Sequence, residues 1–159
     1  MKITLITVGK IKEKYFTMAV DEYKKRLSRY GQIEIIEVPD EKTPDGASEK
    51  EEILIREKEG QRILGKIKDG AYVIAMTIDG RAYDSVGLAG HIADLGVRGN
   101  SHLIFIIGGS LGLSIQVQKR ADECISFSKL TFPHQLMRVI LLEQIYRSFR
   151  IINKEPYHK

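Results

Sequence analysis

The chain has very little cysteine, since Cys124 is the only one among its 159 residues. A single cysteine excludes an intrachain disulfide and any zinc site built on clustered cysteines, and we expect no metal. No apolar run approaches the roughly 18 residues that a membrane span needs, and residues 1–9 alternate like a strand, without an apolar signal-peptide core. We therefore expect a cytoplasmic protein with no membrane partner.

Charges of both signs are present but are unevenly distributed. Residues 1–30 carry eight Lys and Arg against three acids, and residues 138–159 carry five against two. Residues 40–60 reverse the balance, with eight acids against four bases. Basic chain ends suit a phosphate backbone, although solvated helix surfaces often have the same composition. Charge alone leaves nucleic-acid binding open.

Strand-like and helix-like patterns alternate along the chain. Strands are predicted at residues 2–8, 33–38, 71–78, 102–107 and 123–128. Helices are predicted at residues 16–30, 48–67, 85–95, 114–121 and 133–151. Ser48 and Glu51 form a capping box, Ser85 can cap the third helix, and an Asp79-Gly80 turn closes the third strand.

The third and fourth predicted strands are apolar on both faces, as the strands of a covered parallel sheet are. We therefore predict one α/β domain over residues 1–159, with a mostly parallel sheet and helices on both faces. A flavodoxin-like cofactor protein would have the same pattern, because fold alone does not fix function.

A glycine-rich segment, Gly108-Gly-Ser-Leu-Gly112, follows the fourth strand. Three glycines within five residues let a ligand approach the backbone, and ligands of parallel sheets bind beyond the carboxyl ends of the strands. The segment lacks the P-loop ending and the GxGxxG spacing, and the first basic residue after it is Lys119. We expect a ligand held by backbone groups and apolar packing, such as an adenine ring and a thioether. A glycine-rich turn without a ligand is the alternative.

Four blocks of sequence occur in order and carry a specific resemblance. They are Phe105-Ile-Ile-Gly-Gly-Ser-Leu-Gly-Leu113, Ser126-Phe-Ser-Lys-Leu-Thr-Phe-Pro-His-Gln-Leu-Met-Arg138, Leu142-Glu-Gln-Ile-Tyr-Arg147 and Pro156-Tyr-His158. In content and separation they resemble the large-subunit ribosomal RNA methyltransferase H family, the small single-domain branch of the SPOUT methyltransferases. The resemblance covers essentially the whole chain. In one departure, relatives often carry Pro-Glu where this chain has Ser110-Leu111.

The resemblance implies a fold and an activity. The fold is a SPOUT-type α/β knot, with a deep trefoil knot near the carboxyl terminus that periodicity cannot reveal. The activity is methylation of N3 of a pseudouridine in a 23S rRNA stem-loop of the assembled ribosome. S-adenosyl-L-methionine is the cofactor, the enzyme is a homodimer, and DNA is not a partner. Two alternatives stay open: a SPOUT enzyme that methylates tRNA, and a ribosome-binding module without catalysis.

The resemblance also implies roles for individual residues. The cofactor-contacting positions are Met76, Gly108, Gly109, Gly112, Phe127, Ser128, Lys129, Leu130, Thr131 and Phe132. Attack by N3 requires loss of an imide proton, so a group that accepts this proton or stabilises the anion should stand near the methyl group. The catalytic candidates are His158 as base or orienting group, Tyr157 as a stacking ring, and Arg138 as a partner of a phosphate or an oxyanion.

Structural alternatives exist for these side chains. Residues 156–158 belong to a flexible basic tail, and terminal residues are often frayed. Arg138 can instead form a surface ion pair with Glu143 or another acid. His91 and His102 are expected to be structural, whereas His134, directly after Pro133, can contact the substrate or help to begin the helix, and we favour the structural role.

The last predicted helix carries an apolar set broader than one core-facing stripe. Its members are Leu136, Val139, Ile140, Leu142, Ile145, Tyr146 and Phe149. From this breadth we predict a self-complementary dimer interface, which brings one subunit's tail and its Arg147 or Arg150 near the cofactor of the other. A charge at Ile145 is expected to weaken the dimer.

Overall fold

The structure, a computed structural model, describes residues 1–159 and contains five strands that alternate with five helices. The strands are β1 Lys2–Val8, β2 Gln32–Val38, β3 Tyr72–Ala82, β4 His102–Ile107 and β5 Glu123–Ser126. The helices are α1 Lys14–Leu27, α2 Glu49–Leu64, α3 Ser85–Val97, α4 Ile115–Arg120 and α5 His134–Ile152. The predicted alternation is confirmed.

The five strands form one sheet with the order β2-β1-β4-β3-β5, and every strand pair is parallel. β4 lies at the centre, where both of its faces are covered, and residues 103–107 are at most 4% exposed. A central strand must be apolar on both faces, which explains its continuous run of Leu, Ile and Phe. The parallel α/β fold predicted from the sequence is confirmed.

Helices cover both faces of the sheet. The larger core packs α1, α3 and α5 on one face through side chains such as Leu27, Ile92 and Ile145. The smaller core packs α2 and α4 on the other face through Ile63 and Val117. None of these helices combines the length and hydropathy that crossing a bilayer requires.

The helix starts follow local hydrogen bonding. The capping box of α2 is confirmed, since the Ser48 hydroxyl accepts from the Glu51 N–H and the Glu51 carboxylate accepts from the Ser48 N–H. The predicted cap of α3 is wrong by one residue. Its cap is Asp84, whose carboxylate accepts from the Gly87 N–H at 2.6 Å, while the Ser85 hydroxyl donates to Gln144.

The predicted Asp79-Gly80 turn is also wrong, because β3 continues through both residues to Ala82. Met76 and Arg81 both pair with Ile125 of β5, so residues 77–80 form an irregular bulge between two paired positions. Gly80 crosses the β5 backbone so closely that a Cβ there would lie 2.6 Å from the carbonyl carbon of Ile125. Glycine is needed here for close approach between two strands.

Replacing Gly80 by alanine is expected to lower the free energy of unfolding by about 1–3 kcal/mol, because the new Cβ meets backbone that has no room to move. Gly90 is the matched control. It is exposed in α3 with no atom near its Cβ position, so Gly90→Ala should raise stability by up to about 1 kcal/mol. Urea unfolding midpoints measure both effects. Equal midpoints for the Gly80 and Gly90 variants would contradict the close approach of Gly80 to the β5 backbone.

Candidate functional site

A cavity of about 630 Å³ lies at the carboxyl edge of the sheet, where β3, β4 and β5 end. This volume is within the range of small-molecule sites. Four stretches line the cavity: Met76–Ile78, Ile107–Gly112, residues 125–128 except Ser126, and residues 130–137 except Gln135 and Leu136. Lys129, whose side chain is exposed, is not part of the lining. The cavity therefore forms where parallel sheets bind their ligands.

The glycine loop, residues 108–112, forms one wall of the cavity. The Gly112 N–H donates to the Gly109 carbonyl at 3.1 Å, and Gly112 has a φ of +82°, which favours glycine. A Cβ on Gly108 would lie 2.8 Å from the carbonyl group of Gly112. The loop can fold back on itself in this way only with glycine at these positions, and the fold exposes main chain to the cavity.

A carboxylate lies behind the glycine loop. Glu59 of α2 is 5% exposed, and its carboxylate accepts from the Glu41 N–H at 3.0 Å. A Cβ on Gly109 would lie 3.2 Å from the Glu59 Oε1. Burial raises the pKa of Glu59 above its ordinary value. The loop has no acidic residue of its own, and α2 supplies one to its outer side.

The cavity wall itself is uncharged, since its lining contains no Asp, Glu, Lys or Arg. Polar groups come from the main chain and from the hydroxyls of Thr77, Ser110, Ser128 and Thr131, and apolar surface comes from Met, Ile, Leu and Phe side chains. Such a wall suits a ligand that has a flat apolar part and a few hydrogen-bonding groups. This is the type of recognition expected from the sequence.

Nine of the ten positions predicted to contact a cofactor line this cavity. They are Met76, Gly108, Gly109, Gly112, Phe127, Ser128, Leu130, Thr131 and Phe132. Lys129 is the exception, because its exposed side chain lies outside the lining. The structure thus gathers residues from three strand ends around one space, and their contact with a cofactor stays a prediction.

His134 is a lining residue for which the sequence left two roles open, a substrate contact and a helix start. Its Nδ1 is buried without a hydrogen-bond partner, and burial, followed by the charge of Arg138, lowers the pKa of the ring. The ring therefore lines the cavity in its neutral form, with its Nδ1 enclosed by the protein. The signal available in the sequence was its place directly after the block 126–133, at the first position of α5.

Arg138 has a different role from the one predicted. It is 1% exposed and does not line the cavity. Its Nη1 donates to the Glu37 carboxylate at 2.6 Å, and its Nη2 donates to the carbonyls of Val8 and Gly9 at 3.1 and 2.8 Å. A guanidinium used in this way is not available to a phosphate or an oxyanion. We therefore correct the catalytic assignment: Arg138 joins α5 to the ends of β1 and β2 and positions the carboxyl edge.

The tail candidates Tyr157 and His158 lie outside the cavity lining of their own chain. The Tyr157 hydroxyl donates to Glu143 at 3.0 Å, and burial together with this bond raises the pKa of Tyr157 to about 12. Arg147 donates to the His158 Nδ1 at 3.1 Å, so this nitrogen carries no proton. Within one chain, Tyr157 and His158 therefore lie apart from the nine cavity residues.

The tail is held in place, in contrast to the flexible tail expected from the sequence. Arg150 donates to Glu155 at 2.6 Å and to the Pro156 carbonyl at 2.8 Å, and the Tyr30 hydroxyl donates to Glu155 at 2.8 Å. Lys154 has a φ of +56°, which turns the chain back along α5. These contacts fix the direction in which the tail leaves the helix.

Two histidines expected to be structural have structural contacts. His91 stacks on Tyr83 and contacts Glu123, and His102 hydrogen-bonds Thr4 at 2.8 Å. Neither ring lines the cavity. The chain brings no three His, Cys, Asp or Glu side chains together in a possible metal site.

Packing within the chain explains most of the broad apolar set on α5. Leu142, Ile145, Tyr146 and Phe149 are buried in the larger core, so a charge at Ile145 would disrupt the protomer and is no test of a dimer. Leu136 and Ile140 belong to neither core and are half-buried. They leave a narrower apolar face of α5 free for another contact.

Comparison with known proteins gives one consistent result. A family model described as "Predicted SPOUT methyltransferase" matches residues 1–158. The chain is 63% identical over its whole length to ribosomal RNA large subunit methyltransferase H 1 of Clostridium perfringens strain SM101, with the relative also fully covered. It is 61% identical to ribosomal RNA large subunit methyltransferase H of Clostridioides difficile strain 630, again over both full lengths.

Replacing Arg138 by methionine is expected to lower the free energy of unfolding by about 3 kcal/mol or more, because two buried carbonyls and a carboxylate lose their donor. Glu37→Gln should cost under about 1 kcal/mol, since the amide oxygen still accepts from Arg138 at a partly exposed position. Arg120→Met, at an exposed site, controls for loss of a cation. Urea unfolding compares the three, and wild-type stability of the Arg138 variant would contradict the positioning role.

Proposed function

Since this chain belongs to the SPOUT methyltransferase family, we propose that it transfers the methyl group of S-adenosyl-L-methionine to large-subunit ribosomal RNA. The proposed acceptor is N3 of a pseudouridine in a 23S rRNA stem-loop of the assembled ribosome, which would place the enzyme in the cytoplasm. The whole chain, residues 1–159, acts as one SPOUT methyltransferase domain, with the knotted topology of its family. The names of its relatives support the ribosomal substrate.

The observation that carries this proposal is the uncharged, glycine-walled cavity at the carboxyl edge. Its residues fit the donor. Glycine at 108 lets the loop fold back on the Gly112 main chain, and the loop that results lines the cavity, where its main-chain groups can hydrogen-bond an adenine or a ribose. The rings of Phe127 and Phe132 supply apolar surface. The wall has no carboxylate that would pair with the positive charge of the sulfonium.

When bound, S-adenosyl-L-methionine supplies an electrophilic methyl carbon for direct displacement by a nucleophile. The task of this chain is alignment. Orienting two reactants can supply roughly 7–11 kcal/mol of the barrier reduction. The glycine loop and the lining residues of 127–132 would hold the donor, and both follow the ends of buried strands. The edge of the sheet would therefore keep the bound donor in one orientation.

The acceptor nitrogen must lose its proton before or during attack. We propose that Tyr157 and His158 contact the acceptor nucleobase and that one of them takes its proton. Tyr157 keeps its proton at neutral pH because its pKa is raised to about 12, so it can donate a hydrogen bond or stack but cannot serve as the base. His158 has an unprotonated Nδ1, which can take the proton once its bond with Arg147 opens.

A homodimer brings the tail and the cavity together, since they are separate within one chain. The candidate contact is the half-buried face of α5 with Leu136 and Ile140, which neither core uses. This face lies on the helix that starts at the cavity and ends at the tail. Pairing two copies through α5 would place the tail of each copy near the cavity of the other.

Wild-type protein is expected to transfer labelled methyl from S-adenosyl-L-methionine to ribosomes that lack the modification, on 23S rRNA, at N3 of one pseudouridine. Mass spectrometry of nuclease fragments locates the product. Gly108→Ala should lose at least about tenfold in affinity for S-adenosylhomocysteine by calorimetry, because its Cβ displaces Gly112, and Gly90→Ala, outside the cavity, should retain binding. Transfer of labelled methyl to tRNA instead would reject the proposed ribosomal substrate. Absence of both S-adenosylhomocysteine binding and methyl transfer would reject the proposed enzyme activity.

Ile140→Glu is expected to convert the dimer to monomers and to lower methyl transfer by about 100-fold or more, since the tail of a second copy is lost from the site. Binding of S-adenosylhomocysteine should be retained, because the cavity is formed within one chain. Val97→Glu, at an 88% exposed site on α3, is the control. Sedimentation gives the mass. A dimeric, fully active Ile140 variant would rule out this interface.

A further inference from the structure

The segment between β1 and α1 carries three exposed lysines close to the cavity. We call residues 9–14 the lysine loop, after Lys10, Lys12 and Lys14. β1 runs parallel to β4, with Thr7 paired to Ile107, so the lysine loop and the glycine loop leave the sheet at the same edge. The Lys12 N–H donates to the Gln135 side chain at 3.0 Å, next to the cavity residue His134.

The backbone of the lysine loop is held from several sides. The Gly9 N–H donates to the Val38 carbonyl at 2.8 Å, and the Gly9 carbonyl accepts from Arg138 at the same distance. The Ile11 N–H donates to Glu37 at 3.3 Å, and the Ile11 side chain packs against the larger core. The loop is therefore anchored through its backbone and Ile11, with the lysine side chains directed to solvent.

The three ammonium groups have no partners within the protein. None of them takes part in any of its ion pairs, although several other basic residues do. Glu13 is the only acid in the loop. The pKa of His134 is lowered by burial and by Arg138, is raised by Asp40, and is lowered again by the charge of Lys12, as expected for a cation near the cavity.

The lysines also lie at an unfavourable end of a helix. They surround Glu13, the N-cap of α1, and the first turn after it contains no acidic residue, so three cations outnumber one carboxylate at the positive end of the helix dipole. Cations placed there typically cost about 0.3–1 kcal/mol each. The same field attracts an external anion, and the N–H groups of Lys14 and Tyr15, which have no main-chain acceptor, can bind one. The arrangement opposes stability and favours anion binding.

We propose that the lysine loop binds phosphate groups of the RNA strand that enters the cavity, and so holds the substrate on the protomer that binds the methyl donor. This inference rests on the proposed function and adds the surface that grips the RNA. Tyr15, 63% exposed in the first turn of α1, lies where a base beside the held phosphate can stack on it. A polyanionic backbone fits three free cations spread over five residues better than a single small anion does.

The test compares Lys10→Gln/Lys12→Gln with wild type in binding to ribosomes that lack the methyl group, between about 50 and 200 mM salt. Loss of two phosphate contacts should reduce the slope of log affinity against log salt by about 1.4–1.8, because each contact contributes about 0.7–0.9. The KM for ribosomes should rise, and kcat at saturating ribosomes should change little. Calorimetry with S-adenosylhomocysteine should give the wild-type affinity.

The matched control is Lys66→Gln/Lys68→Gln, which removes two exposed, unpaired lysines before β3, at the opposite edge of the sheet. This variant should keep the wild-type salt slope. A slope unchanged in the Lys10/Lys12 variant, or reduced equally in both variants, would overturn the lysine-loop inference while wild-type methyl transfer leaves the proposed function standing. Failure of the wild type to transfer methyl would instead reject the proposed function.

Discussion

The carboxyl edge of the sheet depends on one buried cation. The Arg138 guanidinium joins the carbonyls at the end of β1 to the Glu37 carboxylate near the end of β2, from the first full turn of α5. A buried guanidinium needs acceptors for its donors, and here both Nη atoms have them: two main-chain carbonyls at the end of β1 and a side-chain carboxylate of β2. The ends of β1 and β2 and the start of α5 are therefore fixed relative to one another. Because His134 opens that helix and Gly9 opens the lysine loop, one interaction sets the positions of both the cavity wall and the basic surface beside it.

Charge is separated across this edge in a way that suits two different ligands. The cavity wall has no ionised side chain, so a small ligand is oriented by main-chain groups and ring packing, whose strength depends little on ionic strength. The lysine loop presents cations to water, where their attraction for a phosphate is long-ranged and is screened by salt. Keeping the lysines out of the wall would also avoid placing like charges beside the sulfonium of the proposed methyl donor. The uncharged cavity can orient a small ligand and the lysine loop can attract a phosphate, without either function weakening the other.

Local patterns in the sequence predicted much of the fold, and long-range contacts account for the differences. The bounds of β1 and β4 and the capping box at Ser48 follow from short-range periodicity and hydrogen bonding. Asp79-Gly80 has the composition of a turn, but its conformation is set by the crossing with β5 about 45 residues later, which no local pattern records. Arg138 has the composition of a surface residue, and its acceptors lie 129 and 130 residues away along the chain. The glycine loop and residues 127–132 were identified as a group because their resemblance to a family carries three-dimensional information, whereas the sequence left His134 between a substrate contact and a helix start, and the structure places its ring in the cavity wall.

The position of β1 in the sheet has a consequence for biosynthesis. β1 leaves the translating ribosome before the other four strands, yet it lies in the interior of the sheet, and its neighbour β4 is made about 100 residues later. Its end is closed by a side chain of the last helix. A nascent chain therefore cannot complete the carboxyl edge until nearly all of it has been translated, and closing such long loops makes folding slow. An incomplete chain lacks the very contacts that hold its two ligand surfaces in register, so premature termination yields a product without a formed site.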